Sequence, residues 1–319
     1  MPMFSVIIPT YNRERYIAGT LRSAFAQTFS DFEVIVVDDQ STDNTVEIAR
    51  TFGDRVRVFE QRNSGPGAAR NLGAKHAMGR YLAFLDSDDL WFPWTLETIR
   101  QVVETCDQPA VITGQPFFFD DEGALGAVPC RTLRVDRFAD YLASNATEIL
   151  PGAAFMTVRA DAFAGVGGFT SRRVYSEDAD LYLRLGEAPG HVSILAPYTV
   201  AYRRHPGSAL HDTRRVAEGI EMMLDHEAQG AYPGGEARRG KRWHILAHTA
   251  RNVAANAARS GMPGLALRLY RRSFRANLAQ GRWKFLIALP MLAAGAALRI
   301  IKPAELHGAG ARRASPGSA

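Results

Sequence analysis

The chain has 319 residues, 46% of them hydrophobic and 22% charged, the balance of an ordinary globular protein. That length holds a domain of about 200–250 residues plus an extension. Two cysteines, Cys106 and Cys130, without metal-type Cys/His spacing, exclude a disulfide scaffold and a zinc module, and the net charge is only +5.

Phe4 to Pro9 reads as a strand with no signal peptide before it, so no secretory leader is expected and the expected location is cytoplasmic. The turn Thr10-Tyr11-Asn12 leads into a helix from about Arg13 to Ala26, with Tyr16, Ile17, Leu21, Ala24 and Phe25 at helical spacing. A second strand, Phe32 to Val37, ends in Asp38-Asp39. Ser41-Thr42-Asp43-Asn44-Thr45 then caps a helix running to about Phe52. Val56 to Gln61 is a third strand. Gly65-Pro66-Gly67 opens a helix with Ala68, Ala69, Leu72, Ala74 and Ala77. Tyr81 to Leu85 is a short, buried, aromatic-rich strand, Pro93 opens a helix to about Thr105, and Ala110 to Thr113 begins another strand. This alternation predicts an α/β fold with a mostly parallel central sheet and helices on both faces.

After residue 115 the pattern loosens. Phe117 to Phe119 looks like a strand entering a hairpin turn, Ala153 to Val158 is another strand, and Arg159 to Phe163 is a short helix. Ser176-Glu177-Asp178 precedes a helix to Leu185. Val192 to Ala201 is a strand leading into Tyr202-Arg203-Arg204-His205-Pro206-Gly207-Ser208. The chain is helical beyond about Asp212. The predicted organisation is a catalytic domain over 1–211, a basic helical extension over 212–307 and a disordered tail over 308–319.

Three carboxylates follow the Tyr81–Leu85 strand at once, Asp86, Asp88 and Asp89. A buried strand does not keep unpaired carboxylates, so the chain leaves the sheet here and turns those oxygens toward something positive. Asp86-Ser87-Asp88 is placed to hold a divalent cation, and the cation to hold a diphosphate; the same residues also suit a simple turn and helix cap. Parallel strands put Asp38-Asp39 on the same rim, beyond the carboxyl ends where ligands of open α/β sheets sit.

Six stretches in order carry a resemblance to the family-2 glycosyltransferases: Val6-Ile7-Ile8-Pro9-Thr10-Tyr11-Asn12, Val36-Val37-Asp38-Asp39-Gln40-Ser41-Thr42-Asp43, Gly67-Ala68-Ala69-Arg70-Asn71, Leu85-Asp86-Ser87-Asp88-Asp89, Gly167-Gly168-Phe169 and Ser176-Glu177-Asp178. The resemblance spans about residues 3–210. It implies the GT-A fold and a nucleotide-sugar donor, with inversion the family's usual outcome. It places Pro9 and Tyr11 at the nucleotide, Asp39 against a uracil imide, Asp86 at the ribose or ordering the loop, and Asp88 on Mn²⁺ or Mg²⁺. His205 is similar to a late histidine that reaches the metal or diphosphate. Asp178 becomes the base and Glu177 its support. Arg70, on a helix opened by glycines, reaches phosphate or braces the acidic rim.

The charge is unevenly spread. Residues 1–199 carry 18 basic and 26 acidic side chains, whereas residues 200–319 carry 20 and 7; from Ala237 onward there are 16 basic residues and one acid, Glu305. Such a tail suits an anionic partner, lipid headgroups or nucleic acid, with nucleic acid the weaker of the two. Phe285 to Leu298 is an uncharged run of 14 residues, flanked by Arg282, Trp283, Lys284, Arg299 and Lys302. It falls short of the ~20 residues that span a bilayer. It predicts a helix in the headgroup region on the inner face of the membrane, or a re-entrant one, aided by anionic lipid, or else a helical hairpin packed on the catalytic domain.

The function expected is metal-assisted, inverting hexosyl transfer to a glycan or lipid-linked acceptor in cell-surface polysaccharide or glycolipid synthesis. A sugar-phosphate nucleotidylyltransferase would want a Gly- and Arg-rich, Lys-containing signature where Thr10-Tyr11-Asn12-Arg13 stands. A sugar-nucleotide-binding scaffold with a dead site is opposed by the intact Asp39, Asp88 and Asp178.

Overall fold

The computed structural model describes residues 1–144, 152–205 and 212–297. The chain divides into two compact units, Met1–Ile245 and Leu246–Ala319. The first begins with β1 (Phe4–Thr10), α1 (Ile17–Phe25), β2 (Phe32–Asp38), α2 (Thr45–Arg50), β3 (Val56–Glu60), α3 (Pro66–His76) and β4 (Tyr81–Phe84). These strands lie side by side, all parallel, in the order β3-β2-β1-β4. Every residue of β1 is buried, as a central strand covered on both faces requires. Val34 and Val36 pack in the core that Ile17, Leu21 and Ala49 join from α1 and α2. Ile35 and Val37 point the other way, to Ala69 and Leu72 of α3.

The chain continues through β5 (Leu90–Trp91), α4 (Thr95–Thr105), β6 (Val111–Thr113), β7 (Pro116–Phe119), β8 (Arg134–Phe138), β9 (Met156–Arg159), α5 (Ala160–Gly165) and α6 (Glu177–Arg184). β10 (His191–Ala196), β11 (Val200–Arg203), α7 (Thr213–Ala228) and α8 (Gly235–Arg259) follow. The main sheet has eight strands in the order β3-β2-β1-β4-β9-β6-β10-β8. It is mostly parallel, as expected, with two reversed strands: β9 runs antiparallel between β4 and β6, and β8 antiparallel to β10 at the edge.

Two expectations change in the second half. β7 makes no hairpin; it pairs in parallel with β11, and β5 completes a three-stranded side sheet. The single strand expected over 192–201 is two strands in different sheets. The break comes at Pro197, which has no N–H to give a ladder.

The composition changes at residue 212, yet α7 belongs to the first unit. A Cβ on Gly219 of α7 would lie 1.8 Å from the Tyr175 carbonyl oxygen, so only glycine lets this helix press on the backbone before α6. Asp180, fully buried in α6, accepts hydrogen bonds from His226 Nδ1 at 2.9 Å and Tyr232 Oη at 2.8 Å, and pairs with Arg184 Nε at 2.8 Å.

The second unit holds the rest of α8, α9 (Pro263–Ala279) and α10 (Trp283–Ala297). α9 and α10 pack together; Tyr270 Oη donates to the Leu286 carbonyl at 3.0 Å and its ring meets Phe285. Among the described residues no helix is long and apolar enough to cross a membrane. Pro206-Gly207-Ser208, Leu298, Arg299, Lys302 and the tail 308–319 lie outside the described residues.

Candidate functional site

The site forms where β2, β1 and β4 end side by side. Thr10 pairs with Asp38, and the Asp39 N–H donates to the Thr10 carbonyl at 2.8 Å. The two turns are cross-tied: the Asn12 N–H donates to Ser41 Oγ and the Thr42 N–H to Asn12 Oδ1, each at 2.8 Å. Asp38, fully buried, binds the Ser41 hydroxyl and N–H, so its role is to close this turn. Pro9 lies in β1 opposite Val37, and Tyr11 stands on the rim with 44% of its surface exposed.

Asp39 is also buried, and it organises the approach to α3. Its Oδ1 accepts from Gln61 Nε2 and the Ser64 N–H, and its Oδ2 from the Gly65 N–H, all at 2.8 Å.

The acidic turn after β4 is held from three directions. Thr20 of α1 donates to the Ser87 and Asp89 carbonyls at 3.0 and 2.9 Å. Arg203 of β11 donates its N–H to Asp89 Oδ1 and its Nε to the Asp88 carbonyl, both at 2.9 Å. Arg13 Nε and His205 Nε2 meet on Asp88 Oδ2, at 3.1 and 3.0 Å. Burial works against the Asp88 charge, but the His205 hydrogen bond and the Arg13 charge outweigh it and hold the carboxyl below its ordinary range. Asp89 goes the other way: burial, with Asp88 and Asp86 beside it, raises it well above.

The other half comes from α6. Arg70 of α3 is 4% exposed and spans the two halves, with Nη2 2.6 Å from Asp86 Oδ1 and Nη1 2.7 Å from Glu177 Oε1. Its guanidinium lies 5.3 Å from the Phe169 ring centre. Burial opposes its charge, and the two carboxylates more than restore it. Gly168 adopts φ +71°, and its backbone passes so close to Asn71 that a Cβ would lie 2.5 Å from Oδ1. Asn71 then exchanges two hydrogen bonds with the Phe169 backbone, at 2.8 and 2.9 Å. These contacts fix the Gly167-Gly168-Phe169 turn on α3 and aim the start of α6 at the acidic rim.

Asp178 sits in the first turn of α6, partly buried, its Oδ1 accepting from the Ala179 N–H at 2.7 Å. Burial and the neighbouring Glu177 charge push its carboxyl up to about 7. The stacked rings of Tyr141 and Tyr182, 4.9 Å apart, lie within its electrostatic reach.

The structure thus brings together Arg70, Asp86, Glu177 and Asp178 on one side, and Asp88 and His205 on the other. Of the two roles open to Arg70, the geometry displays the brace. Sequence reasoning missed Arg13, which meets Asp88 across 75 residues of chain and carries no local cue to that partner. It also missed the holding roles of Gln61, Thr20 and Asp89, and the Asp180 cluster, whose partners are some fifty residues away. The Asp180–Arg184 spacing alone was a visible cue.

A divalent cation fits this donor set. Asp88 supplies an anionic oxygen and His205 an imidazole nitrogen at one point, with Asp88 18% exposed. Among the described residues no group of three or more His, Cys, Asp or Glu forms a cage of its own. Mg²⁺-type sites often use one or two carboxylates and leave the rest of the shell to phosphate and water.

Residues 5–163 match the family model described as Glycosyl transferase family 2. An uncharacterized glycosyltransferase of Rickettsia felis is 31% identical over 196 residues, 60% of this chain and 32% of that one, so the chain spans about a third of that relative's length. The crystal structure of S. aureus TarS residues 1–349 in complex with UDP-GlcNAc superposes with a TM-score of 0.71 at 20% identity, covering 92% of this chain and 90% of that one. The mannosyltransferase PcManGT of Pyrobaculum calidifontis, in complex with GDP-Man and Mn²⁺, gives 0.54 at 19% identity, covering 94% and 88%. These likenesses show the fold, which is GT-A.

Proposed function

The chain belongs to glycosyltransferase family 2, and we propose that it moves a hexose from a nucleoside-diphosphate sugar to an acceptor hydroxyl, with inversion at the anomeric carbon. The observation that carries this reading is Arg70, one buried guanidinium on both Asp86 and Glu177, which makes the acidic turn and the start of α6 a single site.

Asp178 is the base. As the acceptor oxygen attacks the anomeric carbon, the bond to the diphosphate breaks and the hydroxyl proton passes to the Asp178 carboxylate. A carboxyl titrating at about 7 suits that task near neutral pH. Glu177 supports it by holding Arg70. Asp88 and His205 would hold Mn²⁺ or Mg²⁺, which when bound supplies Lewis acidity to the leaving diphosphate.

The donor is a UDP-sugar, with dTDP second. Tyr11 walls the base and Pro9 shapes the turn that presents it. Asp39 gives three of its roughly four acceptor positions to Gln61, Ser64 and Gly65. One remains, which matches the single imide N–H of uracil; guanine would bring two adjacent donor groups. Asp86 faces the ribose. The fold itself admits either base, since the two structural neighbours hold UDP-GlcNAc and GDP-Man.

The acceptor is a glycan or a lipid-linked sugar in cell-surface polysaccharide or glycolipid synthesis. The protein works on the cytoplasmic side, peripheral at an anionic membrane, and no nucleic acid is involved. The basic extension after Ala237 supports this placement. A thermal-shift series with UDP-, dTDP- and GDP-sugars, with and without Mn²⁺, tests the donor assignment. UDP-sugars with Mn²⁺ should raise the melting temperature most; stabilisation by GDP-sugars alone would count against it.

A further inference from the structure

α10 has no charged side chain from Phe285 to Ala297. Leu286, Leu289 and Ala293 are buried, as one face of a packed helix must be. Trp283, Ile287 and Met291, spaced four residues apart, are 58%, 65% and 70% exposed. Phe274 and Leu278 add a second exposed pair on α9, also four apart. Half of the ten large exposed hydrophobic residues among those described therefore fall on these two packed helices. Scattered single apolar side chains need no explanation, but a contiguous strip does.

The charge around the strip has one sign. From Pro263 to Ala297 there are six basic residues and no acidic one, with Arg271, Arg275, Arg282 and Lys284 all exposed. Arg251, bonded to Asn277 Oδ1 at 2.7 Å, is held below the ordinary arginine range by burial and by the Arg282 charge. A helix facing water would carry polar residues on that side. A second copy of this chain would bring the same positive charges against themselves. An anionic lipid surface satisfies both the apolar strip and its basic rim. The uncharged run from Phe285 to Leu298 is 14 residues, about 21 Å at ~1.5 Å per residue and short of the ~30 Å hydrocarbon core, so an orientation along the surface suits it.

We propose that the outward face of the α9–α10 hairpin is a docking surface for anionic bilayers, with Trp283, Ile287 and Met291 seated at headgroup depth and the arginines and lysine on the phosphates. This deepens the membrane placement proposed above by naming the surface and its lipid. It is independent of the sugar-transfer chemistry.

The test is flotation of the full chain with phosphatidylcholine vesicles, with and without phosphatidylglycerol. The wild-type protein should float with the anionic vesicles and remain below with the neutral ones. I287E/M291E should lose roughly tenfold or more of that binding, since each change replaces an exposed apolar side chain that docking would bury with a carboxylate. R282Q/K284Q, which leaves the apolar strip intact, should weaken it and flatten its salt dependence. Circular dichroism and UDP binding, unchanged in both variants, separate lost docking from lost folding and from failure of the donor assignment. Flotation with neither vesicle, or equally with both, would overturn the proposal. So would a concentration-dependent dimer abolished by I287E/M291E in a chain that ignores vesicles, which would assign the face to a second copy.

Discussion

Arg70 and Glu177, 107 residues apart in sequence, meet at 2.7 Å, and neither has more than a tenth of its side chain exposed. The same guanidinium holds Asp86 at 2.6 Å. Removing it strands a buried carboxylate and frees the acidic turn. Breaking a buried pair on one side typically costs about 3–5 kcal/mol. Arg70→Met should lower stability by an amount in that range, and Arg70→Lys by less, since an ammonium keeps the positive charge although it cannot reach both carboxylates with the same fork. Urea denaturation of the three proteins checks this; equal stability would mean the clamp carries no energy.

Asp178 gives a pH profile. Its carboxyl is raised to about 7, and a base must be ionised, so kcat/KM should fall tenfold per pH unit below that value and level off above it. Asp178→Asn should stay folded and lose about 10²–10⁴ in rate. A profile flat from pH 5 to 8 would remove Asp178 from the base role.

The same shift has a stability consequence. A carboxyl whose folded value lies above its unfolded one favours folding at low pH, and that contribution is lost as pH rises through about 7. Asp178→Asn removes the loss. It should therefore be more stable than wild type at pH 8, by about 1–3 kcal/mol after allowance for partial exposure, and closer to it at pH 5. Melting temperatures at the two pH values decide it.

The Asp180 cluster predicts where the chain can be cut. Ending it at residue 211 removes His226 and Tyr232 and leaves Asp180 with Arg184 alone, so that product should not fold. A chain ending after α8 should fold and bind UDP. Soluble yield and a cooperative melt distinguish the two.

Much of this was legible in the sequence for a physical reason. β1, β2 and β4 are short apolar runs that end abruptly in polar residues, and parallel strands must end on one rim. Asp38-Asp39 and Asp86-Ser87-Asp88 thereby came to one rim from the strand pattern, whereas the places of Pro9 and Tyr11 at the nucleotide came only with the family resemblance. What was not legible depends on distant partners. Nothing near Arg70 says that its second carboxylate is Glu177, and nothing near Asp180 names His226. β8, with Arg134, Asp136 and Arg137 in five residues, is an edge strand that carries no apolar signature. Charge changes at residue 212 while packing does not: α7 lies within the compact unit Met1–Ile245 and presses on the backbone before α6.

The proposed base role of Asp178 carries a prediction for stereochemistry. Asp178 approaches from α6, and the proposed metal pair lies on the turn after β4 and at the end of β11. A base across from the departing diphosphate leads to inversion, and no carboxylate nucleophile is required. An α-linked donor should give a β-linked product, read from the anomeric coupling in the NMR spectrum. An α product would refute both inversion and the role of Asp178.

The central claim is one site with divided labour, Asp88 for the nucleotide with its metal and Asp178 for the proton. Calorimetric titration of UDP into Asp88→Ala and Asp178→Asn, each with and without Mn²⁺, tests it most directly. Asp178→Asn should bind UDP with the same gain from Mn²⁺ as wild type, and Asp88→Ala should show no gain. Equal loss in both variants, or an undiminished Mn²⁺ effect in Asp88→Ala, would contradict the account.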